Sequence, residues 1–197
     1  FFISMILYGM LQTRGNIPLE NILSEKKINL SSNMNLVVDK TGQKLMVYAD
    51  TTFIKSYKIA YGRSQSNIKI SADDYVTPIG EYSICFMGIS ENYYRIFKLN
   101  FPNKHDIAEA LKNGDISKTE YDKVVNSYKL NDCPDSSSTL GTNIGIHGIG
   151  VYNFIFKNLP FTFNWTNGSI SISNESIDEL FPYVKIGTKV KITNSVQ

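Results

Sequence analysis

From Asn35 onward, apolar and polar residues alternate in short runs, the period of a half-buried strand. Residues 35–40 and 44–50 form two such runs, separated by the tight turn Thr41-Gly42-Gln43. A third alternating run covers 52–62 and ends at Gly62, and residues 63–76 are polar and loop-like. Residues 77–89 open with Thr77-Pro78 and continue as a strand, and 93–101 supply another. Short runs with this turn punctuation predict an antiparallel, mainly β domain with α insertions.

The period changes after residue 105. Ile107, Ala110 and Leu111 fall at helical spacing, with Asp106 placed to cap and Gly114 to end the segment. A second helix is predicted over 117–128, where Ser117 and Glu120 form a Ser-x-x-Glu capping pattern. Together they predict a helical hairpin inserted into the β domain. Residues 131–143 form a loop leading to an apolar strand at 144–150. A helix over 174–184, a turn at Gly187 and a last strand at 189–193 complete the pattern. With no repeat or linker, a single domain is predicted over 33–193.

The segment before it is of another kind. FFISMILYGML, residues 1–11, is an apolar run followed at once by polar sequence. A bilayer-spanning helix needs about 20 apolar residues, so no stable transmembrane segment is expected. The run has the length of the apolar core of a secretory signal. Residues 1–32 are therefore read as a truncated signal peptide and leader; the competing reading is a buried strand or helix end.

Composition narrows the function classes. A formal charge of +2 and only three arginines (Arg14, Arg63, Arg95) give no dedicated nucleic-acid surface. The only histidines are His105 and His147, and there is no cysteine cluster, so neither a metal site nor a cofactor is expected. Two cysteines permit one disulfide, but sequence supplies no distance between them. Cys85 and Cys133 are expected to be unpaired, with the loop around Cys133 flagged as able to approach a site.

Two positions carry candidate chemistry. His147 ends an apolar strand between glycines, where Gly148 and Gly150 leave room for a ligand; the competing reading is a packed, hydrogen-bonded histidine. Ser169 follows Gly168 in a turn entering Ile170. There its side chain can be exposed, and the N–H groups of Gly168 and Ser169 can converge on a developing oxyanion. The competing reading is ordinary Asn-Gly-Ser turn chemistry.

The blocks VVDKTGQKLMVY, YKIAYGR, TPIGEYSI, IGIHGIG and NWTNGSISISNESIDELFPYVKIGTKVKI occur in this order between residues 37 and 192. In that order they resemble the L,D-transpeptidase catalytic domain, the YkuD-type fold of peptidoglycan enzymes, and the inserted hairpin resembles that of exported Gram-negative members. The resemblance implies a YkuD-like β-sandwich with a helical hairpin insertion. It also implies location in the periplasm or cell wall, and action on peptidoglycan stem peptides, with a lipoprotein lysine among the acceptors. His147 and Gly148 match the family's His-Gly, whose imidazole pairs with the nucleophile and is often oriented by a backbone carbonyl. Gly168 matches the glycine before the nucleophile, and Ser169 stands where the family has cysteine. Trp165 and Asn167 belong to the Trp-Thr-Asn-Gly variant of this loop, many members having a second histidine at 167. Ser171 occupies a position often held by arginine, which places one substrate-carboxylate contact in question. Gly148, Trp165, Asn167 and Ser171 are thus the expected substrate-binding positions.

Serine at 169 changes the chemistry expected. A thiol ionises near pH 8.5, lower beside a histidine, whereas a serine hydroxyl needs a base held in place throughout attack. The chain is therefore expected to be a weak or inactive transpeptidase. The readings left open are a non-catalytic module that binds stem peptides, a serine acyl hydrolase and a secreted structural β-domain. The hydrolase is disfavoured by the absence of a Gly-x-Ser-x-Gly elbow.

Overall fold

The computed structural model describes residues 2–13, 16–28, 33–128, 133–134 and 138–195. Alternation in the sequence becomes β1 (Met34–Asp39) and β2 (Lys44–Ala49). Leu36, Val38, Leu45 and Val47 of these strands are fully buried. β3 (Thr52–Lys58) is shorter than the run predicted to Gly62. Past Lys58 the chain leaves β2 and forms isolated bridges instead, Ala60 with Ser171 and Gly62 with Thr166. β4 (Gly80–Ser90), β5 (Tyr94–Leu99), β6 (Gly145–Gly148), β7 (Ile170–Ile172) and β8 (Lys189–Thr193) complete one sheet of order β3-β2-β1-β8-β4-β5-β6-β7. The two bridges join the segment after β3 to Ser171 of β7 and to Thr166 just before it, so the sheet wraps into a near-barrel sandwich with helices around it. This is the mainly β architecture with α insertions that the sequence predicts.

The predicted antiparallel pairing holds for five of the seven strand pairs, with two exceptions. β1 pairs with β8 and β6 with β7 in parallel. Parallel partners need a crossover of a dozen or more residues, and a reading of consecutive runs and turns does not reveal which distant runs meet. The crossover between β6 and β7 carries a 3-10 turn (Gly150–Tyr152) and a short α-helix (Asn153–Lys157), neither anticipated because no capping residue marks them.

The first two helices are α1 (Phe2–Thr13) and α2 (Leu19–Glu25). Leu19 and Leu23 of α2 are buried in the main core, and the carbonyl of Ile17 accepts a 2.7 Å bond from Lys55 Nζ. The hairpin is α3 (Lys104–Asn113) and α4 (Lys118–Ser127); counting in chain order, the crossover helix at 153–157 is α5. Asn103 caps α3, and Asp106 closes a reciprocal capping box by accepting from the Asn103 N–H at 2.7 Å. Gly114 ends the helix at φ 80°, a conformation glycine adopts without a Cβ penalty. Ser117 caps α4 as expected, but the Glu120 carboxylate turns elsewhere: it accepts from Thr139 N at 2.6 Å and Thr139 Oγ1 at 2.7 Å. α6 (Asn174–Leu180) stops short of the predicted Val184, as Pro182 has no N–H for a continuing helix. Among the described residues no helix is long and apolar enough to cross a membrane.

The cysteines also correct the sequence reading. Cys85 on β4 and Cys133 beyond α4 form a disulfide with a Cα–Cα separation of 5.1 Å. Folding brings together residues 48 apart in sequence, which the sequence alone did not show. Cys133 is therefore tied to the sheet and is not a spare nucleophile.

Candidate functional site

β6 and β7 lie side by side, with Ile146 opposite Ile170 and His147 opposite Ser171. Their inward residues Ile146, Ile170 and Ile172 are core, which aims the alternate positions at the other face of the sheet. Ser169 and His147 line the same cavity, of about 500 Å³, together with Trp165 and Asn167. β5 adds Ile96 and Lys98, and loops supply most of the remaining walls. Asp74 organises residues 69–76 by accepting from the N–H groups of Ile70, Ser71 and Val76 and from Lys69 Nζ. That loop meets the 138–143 segment through the Ala72 N–H, which donates to the Thr139 carbonyl at 2.8 Å.

Backbone constraints fix the turn that presents Ser169. Gly168 has φ 121°, and a Cβ there would meet the Val76 carbonyl oxygen at 2.7 Å. Only glycine fits that conformation in that space. The Gly168 carbonyl accepts from Thr77 Oγ1 at 2.7 Å, and its N–H donates to Thr166 Oγ1 at 3.3 Å. Of the two N–H groups expected to face an oxyanion, that of Gly168 is thus engaged within the turn.

His147 is almost completely buried, packed against Tyr93 with ring centroids 4.3 Å apart. Its Nδ1 lies 2.7 Å from the Gly148 carbonyl oxygen. A carbonyl only accepts, so Nδ1 carries the proton and Nε2 carries the lone pair. Burial disfavours the imidazolium and pushes its pKa down to about 4, despite the opposing bond to Gly148. The imidazole is therefore neutral at neutral pH and has the tautomer of a base.

The hydroxyl of Ser169 has other partners. It donates to the Asn143 carbonyl at 3.0 Å and accepts from the Gly145 N–H at 3.2 Å. Asn167 is held by Arg63, whose Nη2 donates to Asn167 Oδ1 at 2.7 Å. Trp165 stands between this cavity and a second one of about 400 Å³ and lines both. Ser171 lines only the second cavity: the catalytic-side residues and Ser171 are separated, although its strand is continuous with Ser169. The Ser171 hydroxyl is buried with no hydrogen-bond partner. Sequence reasoning missed Asn143 and Gly145, which act through their backbone and carry no side-chain signal, and Lys98, a strand lysine with no motif around it. Among the described residues no group of three His, Cys, Asp or Glu side chains gathers as a metal site would.

The profile of the L,D-transpeptidase catalytic domain (YkuD) matches residues 34–192. The chain belongs to this family. The matched span of the L,D-transpeptidase domain runs from β1 to β8 and contains every residue of the cavity just described. Among solved structures, the domain shares its fold with Bd1075 of Bdellovibrio bacteriovorus, at a TM-score of 0.54 and 22% identity over 84% of this chain and 49% of that one. The helical cell shape determining protein Pgp2 of Campylobacter jejuni is similar at a TM-score of 0.51 and 16% identity, over 91% of this chain and 56% of Pgp2. The Pgp2 K307A mutant gives 0.55 and 18%, over 91% and 55%. The chain thus spans about half the length of these relatives. No curated protein matches it.

Proposed function

We propose that this L,D-transpeptidase domain is built for acyl transfer on peptidoglycan tetrapeptide stems, and that Ser169 in place of cysteine leaves it weak or inactive. The observation that carries the reading is the shared cavity of Ser169 and His147, with the imidazole oriented by the Gly148 carbonyl. With cysteine at 169, His147 Nε2 takes the thiol proton as sulfur attacks the carbonyl that precedes the terminal D-Ala. The S–C bond forms, the C–N bond breaks, and the proton passes to the departing amine. An amine from a second stem, a lipoprotein lysine, a D-amino acid or water then resolves the acyl-enzyme. Serine weakens the first step twice: the hydroxyl is a far weaker acid than a thiol, and a base with a pKa near 4 draws its proton poorly.

One observation favours the alternative, a non-catalytic module that binds stem peptides. Ser169 Oγ is engaged by the backbone of Asn143 and Gly145, an arrangement that does not involve the imidazole. Mass spectrometry of tetrapeptide muropeptides incubated with the full chain, as Ser169 and as Ser169→Cys, separates the two. Release of D-Ala with an adduct on residue 169 only in the Cys form supports the disabled transpeptidase. Binding without reaction in both forms supports the module and removes the catalytic reading.

Export to the periplasm or cell wall, with residues 1–32 as leader, belongs to the same proposal. The Cys85–Cys133 bridge supports it, because disulfides persist in oxidising compartments. α2 packs Leu19 and Leu23 into the core, so a cleavage that preserves the core falls before Leu19. Cell fractionation tests it; recovery solely in the cytoplasm would remove the export reading.

A further inference from the structure

The site cavity holds two lysines in different circumstances. Lys69 is committed: its Nζ donates to Asp74 Oδ1 at 2.6 Å and to the Ser71 carbonyl at 2.9 Å, and its side chain is 2% exposed. The ammonium of Lys98, half-buried on β5, has no ion-pair or hydrogen-bond partner among the described residues. Among the described residues no Asp or Glu lines the cavity. Lys98 is therefore the one uncompensated charge facing into it among the described residues.

Strand register places that charge. Lys98 pairs with Gly145 across β5 and β6, and the Gly145 N–H donates to Ser169 Oγ. Lys98 and Gly145 thus sit in one row of β5 and β6, and Ser169, the residue just before β7, continues that row through its bond to Gly145. Adjacent strands lie about 4.8 Å apart, so the row places Lys98 Cα about 10 Å from that of Ser169. A flexible four-carbon stem covers most of that gap. Position 145 has no side chain, and the Ile96 side chain packs beside it, 3.3 Å from where a Cβ would sit. A Cβ there would meet the Phe97 carbonyl oxygen at 2.8 Å.

The other side of Ser169 offers no equivalent. Ser171 is neutral and faces the second cavity. The lysines there are spoken for, Lys58 by the carbonyls of Leu159 and Phe161, and Lys157 by Glu175. Glu175 and Glu179 line that cavity too, which disfavours an anion.

We propose that Lys98 binds the C-terminal carboxylate of the acyl-donor peptide, so that the site takes stems ending one residue beyond the scissile carbonyl and not longer or C-terminally blocked ones. The proposal rests on the transpeptidase reading of the cavity and adds the residue that makes it exo-acting. One residue advances the chain by about 3.8 Å between Cα atoms, which keeps the terminal carboxylate inside the cavity that Ser169 and Lys98 both line. A carboxylate meeting an ammonium with no acid beside it among the described residues makes a charge-assisted bond, about twice as strong as a neutral one.

Trp165 is the chain's only tryptophan and lines the cavity, so its fluorescence reports occupancy. The probes are the tetrapeptide L-Ala-γ-D-Glu-meso-diaminopimelate-D-Ala as its free acid and as its C-terminal D-Ala amide, titrated against the full chain, Lys98→Met and Lys98→Arg. The native chain is expected to bind the acid at least about tenfold more tightly than the amide. Lys98→Met, which keeps the apolar stem, should bind the two alike, and Lys98→Arg should restore the preference. Equal binding of acid and amide by the native chain overturns the proposal and leaves the stem-peptide reading standing. A preference that survives in Lys98→Met also overturns it. If neither peptide changes the Trp165 signal, the stem-peptide reading falls, and this proposal with it.

Discussion

His147 is the residue where burial and chemistry meet most directly. Its imidazole has a pKa of about 4 against an ordinary 6.5, because the buried ring resists charging. In the unfolded chain the ring takes a proton near pH 6.5, whereas the folded protein refuses it. The unfolded state therefore binds more protons between these values. This contribution to stability is fully present above pH 6.5 and is lost as pH falls toward 4, by about 3 kcal/mol in all. An NMR titration of the imidazole should find a neutral ring with the proton on Nδ1 down to about pH 4. A midpoint near 6.5 would mean that the cavity is wetter than its packing indicates. In Ser169→Cys the same shift implies that protonation of His147 does not set an acid limb near pH 6.5. At this scale the site was partly legible. Glycines flanking His147 and preceding Ser169 announced open backbone, and motif order tied the two together. Which way Ser171 and Lys98 face was not legible, because that depends on the sheet partners of β5 and β7.

The elements show the same division between local and distant causes. Period-two alternation made β1 and β2 readable, and capping residues made the hairpin readable. The parallel pairs, the bridges of Ala60 and Gly62 to the β7 side, and α5 depend on contacts between residues far apart in sequence. The hairpin itself contains a testable device. Asp106 sits in the α3 capping box, and burial pushes its carboxyl up to about 6, against opposing bonds from the Asn103 N–H and Tyr82. The folded state here holds its proton more tightly than the unfolded chain, whose carboxyl ionises at 3.8. The corresponding stability is present below pH 3.8 and lost as pH rises through about 6. Asp106→Asn keeps an acceptor for the Asn103 N–H and removes the buried charge. Thermal unfolding should show it more stable than the native protein at pH 8, by roughly 1–3 kcal/mol, and equal to it at pH 3.5 or so. Destabilisation at pH 8 would show that the ionised carboxylate contributes more through its bonds to α3 than burial costs it.

At the scale of the whole molecule, the site depends on connections that run outside the sheet. Glu120 of α4 accepts from Thr139, the Thr139 carbonyl accepts from Ala72, and the same segment continues to Asn143, whose carbonyl receives the Ser169 hydroxyl. The hairpin that starts this chain of contacts is fastened at its far end by Cys133 to Cys85 in β4. Closing a loop between residues 48 apart restricts the unfolded chain, which in the entropic account stabilises the fold by about 4 kcal/mol. For a domain of this size that corresponds to a fall in Tm of roughly 10 °C on reduction. Calorimetry with and without reductant, and of Cys85→Ser with Cys133→Ser, should show that fall in both. Protein isolated without reductant should carry no free thiol, since both cysteines are in the bridge. Trp165 fluorescence adds the spatial half of the test. The signal should change on reduction if the hairpin holds the wall of the cavity, and stay constant if the bridge stabilises the fold without reaching the site. Two free thiols in the isolated protein, with a Tm indifferent to reductant, would remove both the bridge and its support for an oxidising compartment.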